Sequence, residues 1–336
     1  MKSVYLNGIG LVSRAGNSPD AVAEAVLSPE ECPPQALAYE SFFEKSEMRR
    51  ISRYAKLAAE VSARALQDAG TDPRTACDEN TGILFTTGYG AAESNVKFFK
   101  SVAKKEPDFC NPLTFASTVP NYALGTVCIL LGIKGYSTAL LGGNPFDLAV
   151  PALHRQKAES MIIGAQEEYC PEMFEAVEHC RASHAIQLAE GSIAFLVSAK
   201  PDKNCYAELT DSKSYALTAT PVFDSSVSIP DSAVSLAEKP DVIFGIGEQL
   251  PFGEAEKKLF SEAFPDAVYS GVARSLFGET MGSSFLLNAA CAAVCLKKGI
   301  APAGADARTV LVTGADMQGN YMQVLLKKTE MEKYDG

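Results

Sequence analysis

The sequence lacks the features that mark membrane proteins and secreted proteins. No apolar run in its 336 residues approaches the roughly 20 residues that a transmembrane helix needs. The first residues, MKSVYLNGIG, enter a strand-like pattern at once, which leaves no room for a signal peptide. We therefore expect a cytoplasmic protein without a membrane span.

Metal-binding patterns are also scarce. The chain has only three histidines, and its nine cysteines are scattered without a CxxC pair. Structural zinc sites need clusters of such residues at short spacings. The sequence therefore predicts no metal site, and it predicts reduced, mostly buried thiols in a reducing compartment.

Basic residues are outnumbered by acidic ones, with 30 Lys and Arg against 41 Asp and Glu and a net charge of −11. This balance argues against nucleic acid and anionic membranes as partners. The stretch EMRRISRYAK is the exception, because Arg49, Arg50 and Arg53 lie close together in it. These arginines form either a solvated helix face or a docking patch for an acidic partner.

Strand-like and helix-like patterns alternate along nearly the whole chain. The runs DVIFGIG and SMIIGAQ are continuously apolar, as in strands that are covered on both faces, and MGSSFLLNAACAAVCLKK is apolar nearly all round, as in a buried helix. The class is therefore α/β, with sheets between helices. The polar stretch KPDKNC divides the chain into halves, about 1–200 and 201–336.

The stretch YSTALLGGNPFDLAV reads as a sharp bend between a strand and a helix. A β run meets Gly142 and Gly143, and Asn144 and Pro145 are residues that favour a helix start. Enzymes place nucleophiles at such bends because the positive end of the helix lowers the pKa of a thiol. No Ser, Cys or Thr stands at this bend, so the geometry is predicted without the covalent step.

Several motifs in the N-terminal half resemble those of one known family. They are SVYLNGIGLVSRAGNSPDAV, RRISRYAKLAAEVSARALQDAGTDP, VPNYALGTVCILLGIKG and LAEGSIAFLVSAK. Their order and spacing are similar to those of the β-ketoacyl-ACP synthases, the condensing enzymes of the thiolase superfamily. The resemblance runs from residue 1 to about 328, and Gly143 falls where the family carries the cysteine of its T-A-C-x-S-G motif.

The resemblance continues in the C-terminal half, where the reactive residues differ from the family. Ile246 stands at the histidine of H-G-T-x-T-P-x-G-D, and Arg274 and Glu279 stand at the lysine and histidine of K-S-x-x-G-H-x-x-G. Met317, in DMQGN, stands at the gating phenylalanine of G-F-G-G-T-N. Loss of a single oxyanion donor typically costs about 10²–10³ in rate. The resemblance therefore implies that no catalytic residue is intact and that condensation is lost.

The family likeness also implies an architecture and partners. We expect a layered αβαβα fold of two related halves, in which the strand YSTALL pairs with its counterpart across a dimer. The expected role is that of a chain-length-factor-like subunit beside an active ketosynthase, with a homodimer as the fallback. Met317, Phe277 and Met281 are the candidates for shaping an acyl tunnel.

Other expectations concern the carrier protein and the length of the chain. An acyl carrier protein is a possible partner, for which Arg49, Arg50 and Arg53 are the docking candidates. No cofactor is implied. Compared with the family, the segments 168–184 and 218–240 look trimmed.

Alternatives remain open at this stage. Arg274 and Glu279 could form a structural ion pair across the region where the resembling family has its active site. Alternatively, Glu279 could act as a base in an acyltransferase, decarboxylase or thioesterase. A third possibility is a protein that binds an acyl chain or lipid without a partner subunit.

Overall fold

A computed structural model describes residues 3–28, 37–104, 110–181, 184, 186–220, 224, 226–300, 302 and 306–329. The strands are β1 Val4–Val12, β2 Thr81–Thr87, β3 Ser137–Leu141, β4 Ser160–Glu167, β5 Gly191–Ser198, β6 Ala207–Ala216, β7 Val242–Phe244, β8 Val268–Ser270, β9 Thr309–Ala315 and β10 Asn320–Lys327. The helices are α1 Pro19–Leu27, α2 Lys45–Met48, α3 Arg53–Asp68, α4 Ala92–Ala103, α5 Pro112–Ala116, α6 Asn121–Leu131, α7 Phe146–His154, α8 Pro171–Cys180, α9 Pro251–Ala263, α10 Val272–Phe277 and α11 Ser284–Lys298.

The strand order repeats itself between the two halves of the chain. The ten strands are ordered β3-β2-β4-β5-β1-β6-β10-β9-β7-β8. Read outward from the middle, β1-β5-β4-β2-β3 has the same sequence of parallel and antiparallel pairings as β6-β10-β9-β7-β8. The halves join where β1 pairs antiparallel with β6. This repetition favours the predicted division near residue 200, which stays a prediction.

Helices separate and cover the two halves of the sheet. α7 and α11 contact strands of both halves, so they lie in the middle layer. α3 and α6 cover the outer face of the N-terminal half, and α9 covers the outer face of the C-terminal half. The layers are therefore αβαβα, as predicted. α11 is buried from Ser284 to Leu296, in agreement with its uniformly apolar sequence.

Glycines allow β1 to approach α3 closely. A Cβ on Gly8 would lie 2.2 Å from the Ala65 carbonyl oxygen, and one on Gly10 would lie 2.0 Å from the Val61 carbonyl oxygen. No other residue fits at such distances, so these glycines fix how tightly the helix sits on the strand. α3 begins after the N-cap Ser52 and ends before Gly70, whose φ is 79°.

The segments 168–184 and 218–240, which look shorter than in the resembling family, differ in how much helix they contain. The segment 168–184 contains α8, whose residues Phe174 and Val177 are buried on one face. In the connection from β6 to β7, the described residues include only a short 3-10 turn, Asp231–Val234, where the N-terminal half has the long helix α3. The outer layer of the C-terminal half is correspondingly thinner.

Candidate functional site

The predicted bend between strand and helix is present at the end of β3. Gly142 and Gly143 have φ values of 72° and 85°, in the left-handed region that side chains disfavour. The Oδ1 atom of Asn144 accepts a hydrogen bond of 3.1 Å from the backbone N–H of Phe146, the first residue of α7. The space beside Gly143 is open, because a Cβ there would meet no atom within 4 Å. A nucleophile would have room at this position, and the chain places none there.

The backbone N–H at the bend is occupied by a carboxylate of the chain itself. The N–H of Gly143 donates to Oδ2 of Asp316 over 2.6 Å. Asp316 is buried, and its oxygens also accept from the N–H groups of Gln318 and Asn320 and from the Asn320 side chain, over 2.8–2.9 Å. Backbone N–H groups of this kind stabilise an oxyanion in acyl transfer. Here the donor already holds a negative group.

Gln318 connects this bend to the positions that follow α10. Its Nε2 donates to the Gly88 carbonyl oxygen over 2.9 Å. Gly88 in turn lies against Gly282, since a Cβ on Gly282 would be 2.2 Å from the Gly88 nitrogen. Gly282 directly follows Met281, so the bend at Gly143 and the segment 279–282 meet around one junction. Sequence reasoning missed Asp316 and Gln318, although both stand where the resembling loop carries glycine.

Glu167, at the end of β4, forms hydrogen bonds with the residues of the junction around Gly88. Its carboxylate accepts hydrogen bonds from the Thr87 hydroxyl over 3.0 Å, from the Gly88 N–H, and from the Tyr89 N–H over 3.3 Å. Burial raises the pKa of Glu167 to about 8. This side chain ties the end of β2 to the end of β4 and lies away from open space.

Arg274 and Glu279 form the ion pair that the sequence analysis considered. Nη2 of Arg274 donates to Oε2 of Glu279, and both side chains are more than nine-tenths buried. Oε1 of Glu279 accepts from the Met281 N–H over 2.8 Å and from the Ser284 hydroxyl over 3.2 Å. Both carboxylate oxygens are therefore engaged, which leaves Glu279 poorly suited to act as a base.

Ile246 offers only its backbone to this region. It follows β7, its side chain is buried, and its N–H donates to Oε2 of Glu256 over 2.7 Å. Ile246 and Arg274 line a cavity of about 20 Å³, which has room for one water molecule at most. A substrate could not enter this space without rearrangement.

The structure separates the three tunnel candidates. Met281 and Met317 belong to one small apolar cluster with Phe174 and Val177, beside the junction. Phe277 is instead packed in the central core and faces the small cavity beside Ile246. It lies at the end of α10 and packs in the same core cluster as the buried residues of α11.

The three docking candidates differ in their contacts. Arg49 and Arg50 are exposed, and neither forms an ion pair with a residue that the structure describes. Arg53 is part-buried and binds Glu190 with two hydrogen bonds, one of them 2.8 Å from Nε to Oε2. Arg53 is thus paired with Glu190 at a partly exposed site, and of these three arginines only Arg49 and Arg50 form no ion pair with a described residue.

The described residues contain neither a cluster of metal ligands nor a helix that could span a membrane. No group of three or more His, Cys, Asp and Glu side chains there could hold a metal ion. Among the helices of the described part of the chain, none has the length and apolar character needed to cross a membrane.

Comparison with known proteins relates this arrangement to a family. Residues 33–189 match the family model for the β-ketoacyl synthase N-terminal domain. The 3-oxoacyl-[acyl-carrier-protein] synthase 2 of Staphylococcus aureus is 29% identical over 133 residues, which cover 38% of this chain and 33% of that protein. The enzyme of the same name from Synechocystis sp. is 26% identical over 131 residues, 38% of this chain and 32% of that protein. The chain thus aligns with only about a third of the length of these curated relatives.

Solved structures are similar over nearly the full length. The ishigamide ketosynthase/chain length factor has a TM-score of 0.77 at 19% identity, covering 97% of this chain and 99% of that one. A β-ketoacyl synthase from Burkholderia phymatum has a TM-score of 0.77 at 15% identity, covering 98% and 100%. A type II polyketide ketosynthase in complex with its acyl-carrier protein also scores 0.77, at 14% identity, covering 98% and 99%. The chain is therefore similar to the β-ketoacyl synthases at residues 33–189, and its fold is the one seen in these ketosynthase structures.

Proposed function

We propose that this chain is a catalytically silent ketosynthase homologue that pairs with an active ketosynthase in the cytoplasm, as a chain-length-factor-like subunit. The observation that carries the proposal is the contact between Gly143 and Asp316. The position of the nucleophile has no side chain, and its backbone N–H holds a buried carboxylate over 2.6 Å. A thioester carbonyl would have to displace this carboxylate before any chemistry, and no thiol would then attack it.

The charges beside the bend support the same proposal. Ile246 has no polar side chain. Both carboxylate oxygens of Glu279 already accept hydrogen bonds, from Arg274 and from Met281 and Ser284. An ionised carboxylate at position 279 would repel a developing oxyanion. Catalysis by Glu279 as a base, the alternative function, would require this pair to open in the protein interior.

The edge of the sheet supports a partner subunit. β3 is the last strand at its end of the sheet, and its side chains are half-buried to exposed. Large apolar side chains stand exposed on this strand, on α6, which contacts it, and on α4 and α5, which precede α6 and contact each other, namely Phe99, Leu113, Phe115, Ile129 and Leu141. An exposed edge strand flanked by apolar side chains is prone to pair with another chain. The proposed occupant is the corresponding edge of an active ketosynthase, and a second copy of this chain is the fallback.

Co-expression with an intact ketosynthase from the same genome tests the pairing. We expect a stable heterodimer, and we expect Phe115→Glu, at a site that is 57% exposed, to reduce its yield. Leu27→Glu on α1, at a site that is 69% exposed and lies elsewhere in the fold, is the matched control. A homodimer that excludes the ketosynthase would contradict the heterodimer.

Incubation with malonyl- and acyl-carrier protein tests the silence. The purified chain should show neither a covalent gain in mass nor thioester turnover, while the partner ketosynthase, assayed in parallel, should be acylated. Robust turnover by this chain alone, lost in Glu279→Gln, would establish the enzymatic alternative instead.

The proposal includes an acidic carrier protein as a further partner. Arg49 and Arg50 are the exposed charges available to it, and Arg53 is already bound to Glu190. Replacing Arg49 and Arg50 by Glu should weaken binding of the carrier protein to the complex, and the weakening should shrink at high salt. Arg49 and Arg50 lie in the turn between α2 and α3 and not on the helix face that the sequence analysis considered, and an unchanged affinity would leave them as solvated surface charges.

A further inference from the structure

A cavity of about 550 Å³ lies outside the junction described above. Its walls come from the loop after β1, the start of α3, the start of α8 and the segment 187–190. Cavities that hold small organic molecules have volumes of about 300–1,000 Å³. The size alone therefore suits a small ligand, and the chemistry of the lining decides its class.

One wall of the cavity is apolar. Val12, Phe174 and Leu188 line it, and the ring of Phe174 also meets the ring of Tyr169 edge-on, with centroids 4.9 Å apart. Phe174 and Leu188 also belong to the apolar cluster that contains Met281. The cavity therefore adjoins this cluster, and Met281 itself is not part of the cavity lining.

The charges on the lining leave one guanidinium unbalanced. Arg53 is paired with Glu190, and Glu93 is paired with Lys97 over 2.5 Å. Arg14 forms no hydrogen bond or ion pair with any residue that the structure describes. A guanidinium keeps its charge at all ordinary pH values and carries five N–H donors in a planar fork.

Arg14 is held at the cavity and is not free in solvent. Its side chain is part-buried, and its Nη1 atom lies 3.4 Å from the point that a Cβ on Gly278 would occupy. The glycine leaves space for the guanidinium against the turn that precedes Glu279. A planar donor group, half-desolvated and without a partner beside an apolar wall, is matched by a carboxylate on an apolar body.

We propose that this cavity binds an amphipathic monocarboxylate, with its anionic group on Arg14 and its apolar body against Val12, Phe174 and Leu188. The inference does not depend on pairing with a ketosynthase, because every residue in it belongs to this chain. It also differs from the tunnel hypothesis, since none of the tunnel candidates Met317, Phe277 and Met281 lines this cavity.

Three probes with the same ten-carbon chain test the proposal, namely decanoate, decan-1-ol and decyltrimethylammonium. Titration calorimetry at pH 6 keeps decanoate ionised and leaves Glu168, behind the lining, mostly protonated, because burial raises its pKa to about 7. We expect decanoate to bind most tightly, with a Kd below about 1 mM. Methyl resonances of Val12 and Leu188 should shift on binding, which locates the ligand.

Variants at Arg14 separate recognition of charge from apolar binding. Arg14→Met should weaken decanoate at least about 10-fold and change decanol less than about 2-fold, since only decanoate uses the guanidinium. Arg14→Lys should be intermediate, and Arg155→Met, at an exposed arginine after α7, should behave as wild type. The proposal is overturned by absence of decanoate binding, by tightest binding of the ammonium probe, or by an Arg14→Met variant that binds decanoate as wild type does.

Discussion

The Arg274–Glu279 pair gives the sharpest test of whether this region is structural. The two side chains are 9% and 6% exposed, and Glu279 also accepts from Met281 and Ser284. Removing one member of a buried pair leaves an uncompensated charge and typically costs about 3–5 kcal/mol. Glu279→Met leaves the guanidinium without its charged acceptor, so we expect a loss of about 3 kcal/mol. Arg274→Met, which strands the carboxylate, should cost a similar amount.

Replacing both members should restore most of the stability. The double variant Arg274→Met with Glu279→Met buries no charge, and apolar replacements of buried pairs are often neutral. The free energies of unfolding, from urea titrations followed by circular dichroism, should therefore give a coupling energy of at least about 2 kcal/mol. The exposed pair Lys45–Glu40, with side chains 80% and 54% exposed, is the matched control and should show a coupling below about 1 kcal/mol. Additive effects at Arg274 and Glu279 would refute the structural reading.

Three further predictions concern the surroundings of the junction. Because burial raises the pKa of Glu168 to about 7 from an ordinary value of 4.5, the folded state loses stability as pH rises between these values, and Glu168→Gln should gain about 2 kcal/mol over wild type between pH 5 and 8 in urea titrations. Parallel pH profiles would contradict this. Gly282→Ala places a Cβ 2.2 Å from the backbone nitrogen of Gly88 and should unfold or precipitate the chain. Gly143→Ala meets no neighbouring atom, and its φ of 85° alone should lower the free energy of unfolding by about 1–2 kcal/mol. Thermal denaturation compares the two variants, and equal losses of stability would argue against this packing. Asp316→Ala should speed hydrogen exchange at the Gly143 amide at least about 10-fold and lower the free energy of unfolding by about 1–3 kcal/mol, and an unchanged exchange rate would disprove the contact.

Parts of the candidate site could be predicted because their signals are local. The bend at Gly142 and Gly143 follows from two adjacent glycines and the helix-starting Asn144 and Pro145, all within four residues. Arg274 and Glu279 lie five residues apart, so their pairing was also within reach of sequence reasoning. In each case the residues that decide the geometry are near neighbours in the chain.

Other parts could not be predicted for the opposite reason. Asp316 reaches Gly143 across 173 residues of sequence, and Gln318 reaches Gly88 across 230. Phe277 packs in the central core and lines the small cavity with Ile246, a position that depends on segments distant in sequence; its role in a tunnel stays a prediction. The sequence analysis names Arg53 as a docking candidate together with Arg49 and Arg50. Only the tertiary structure shows that Arg53, at the start of α3, is hydrogen-bonded to Glu190.

The sequence by itself determined the alternation of strands and helices and the bend at Gly143 that carries no side chain. These features depend on backbone preferences and on the periodic placement of apolar residues, which short stretches of chain encode. Only the tertiary structure decided what fills the space around the bend, namely the carboxylate of Asp316, and what stays open, namely the cavity at Arg14. Both outcomes depend on how distant segments pack against one another, and the sequence of neither segment alone specifies that packing.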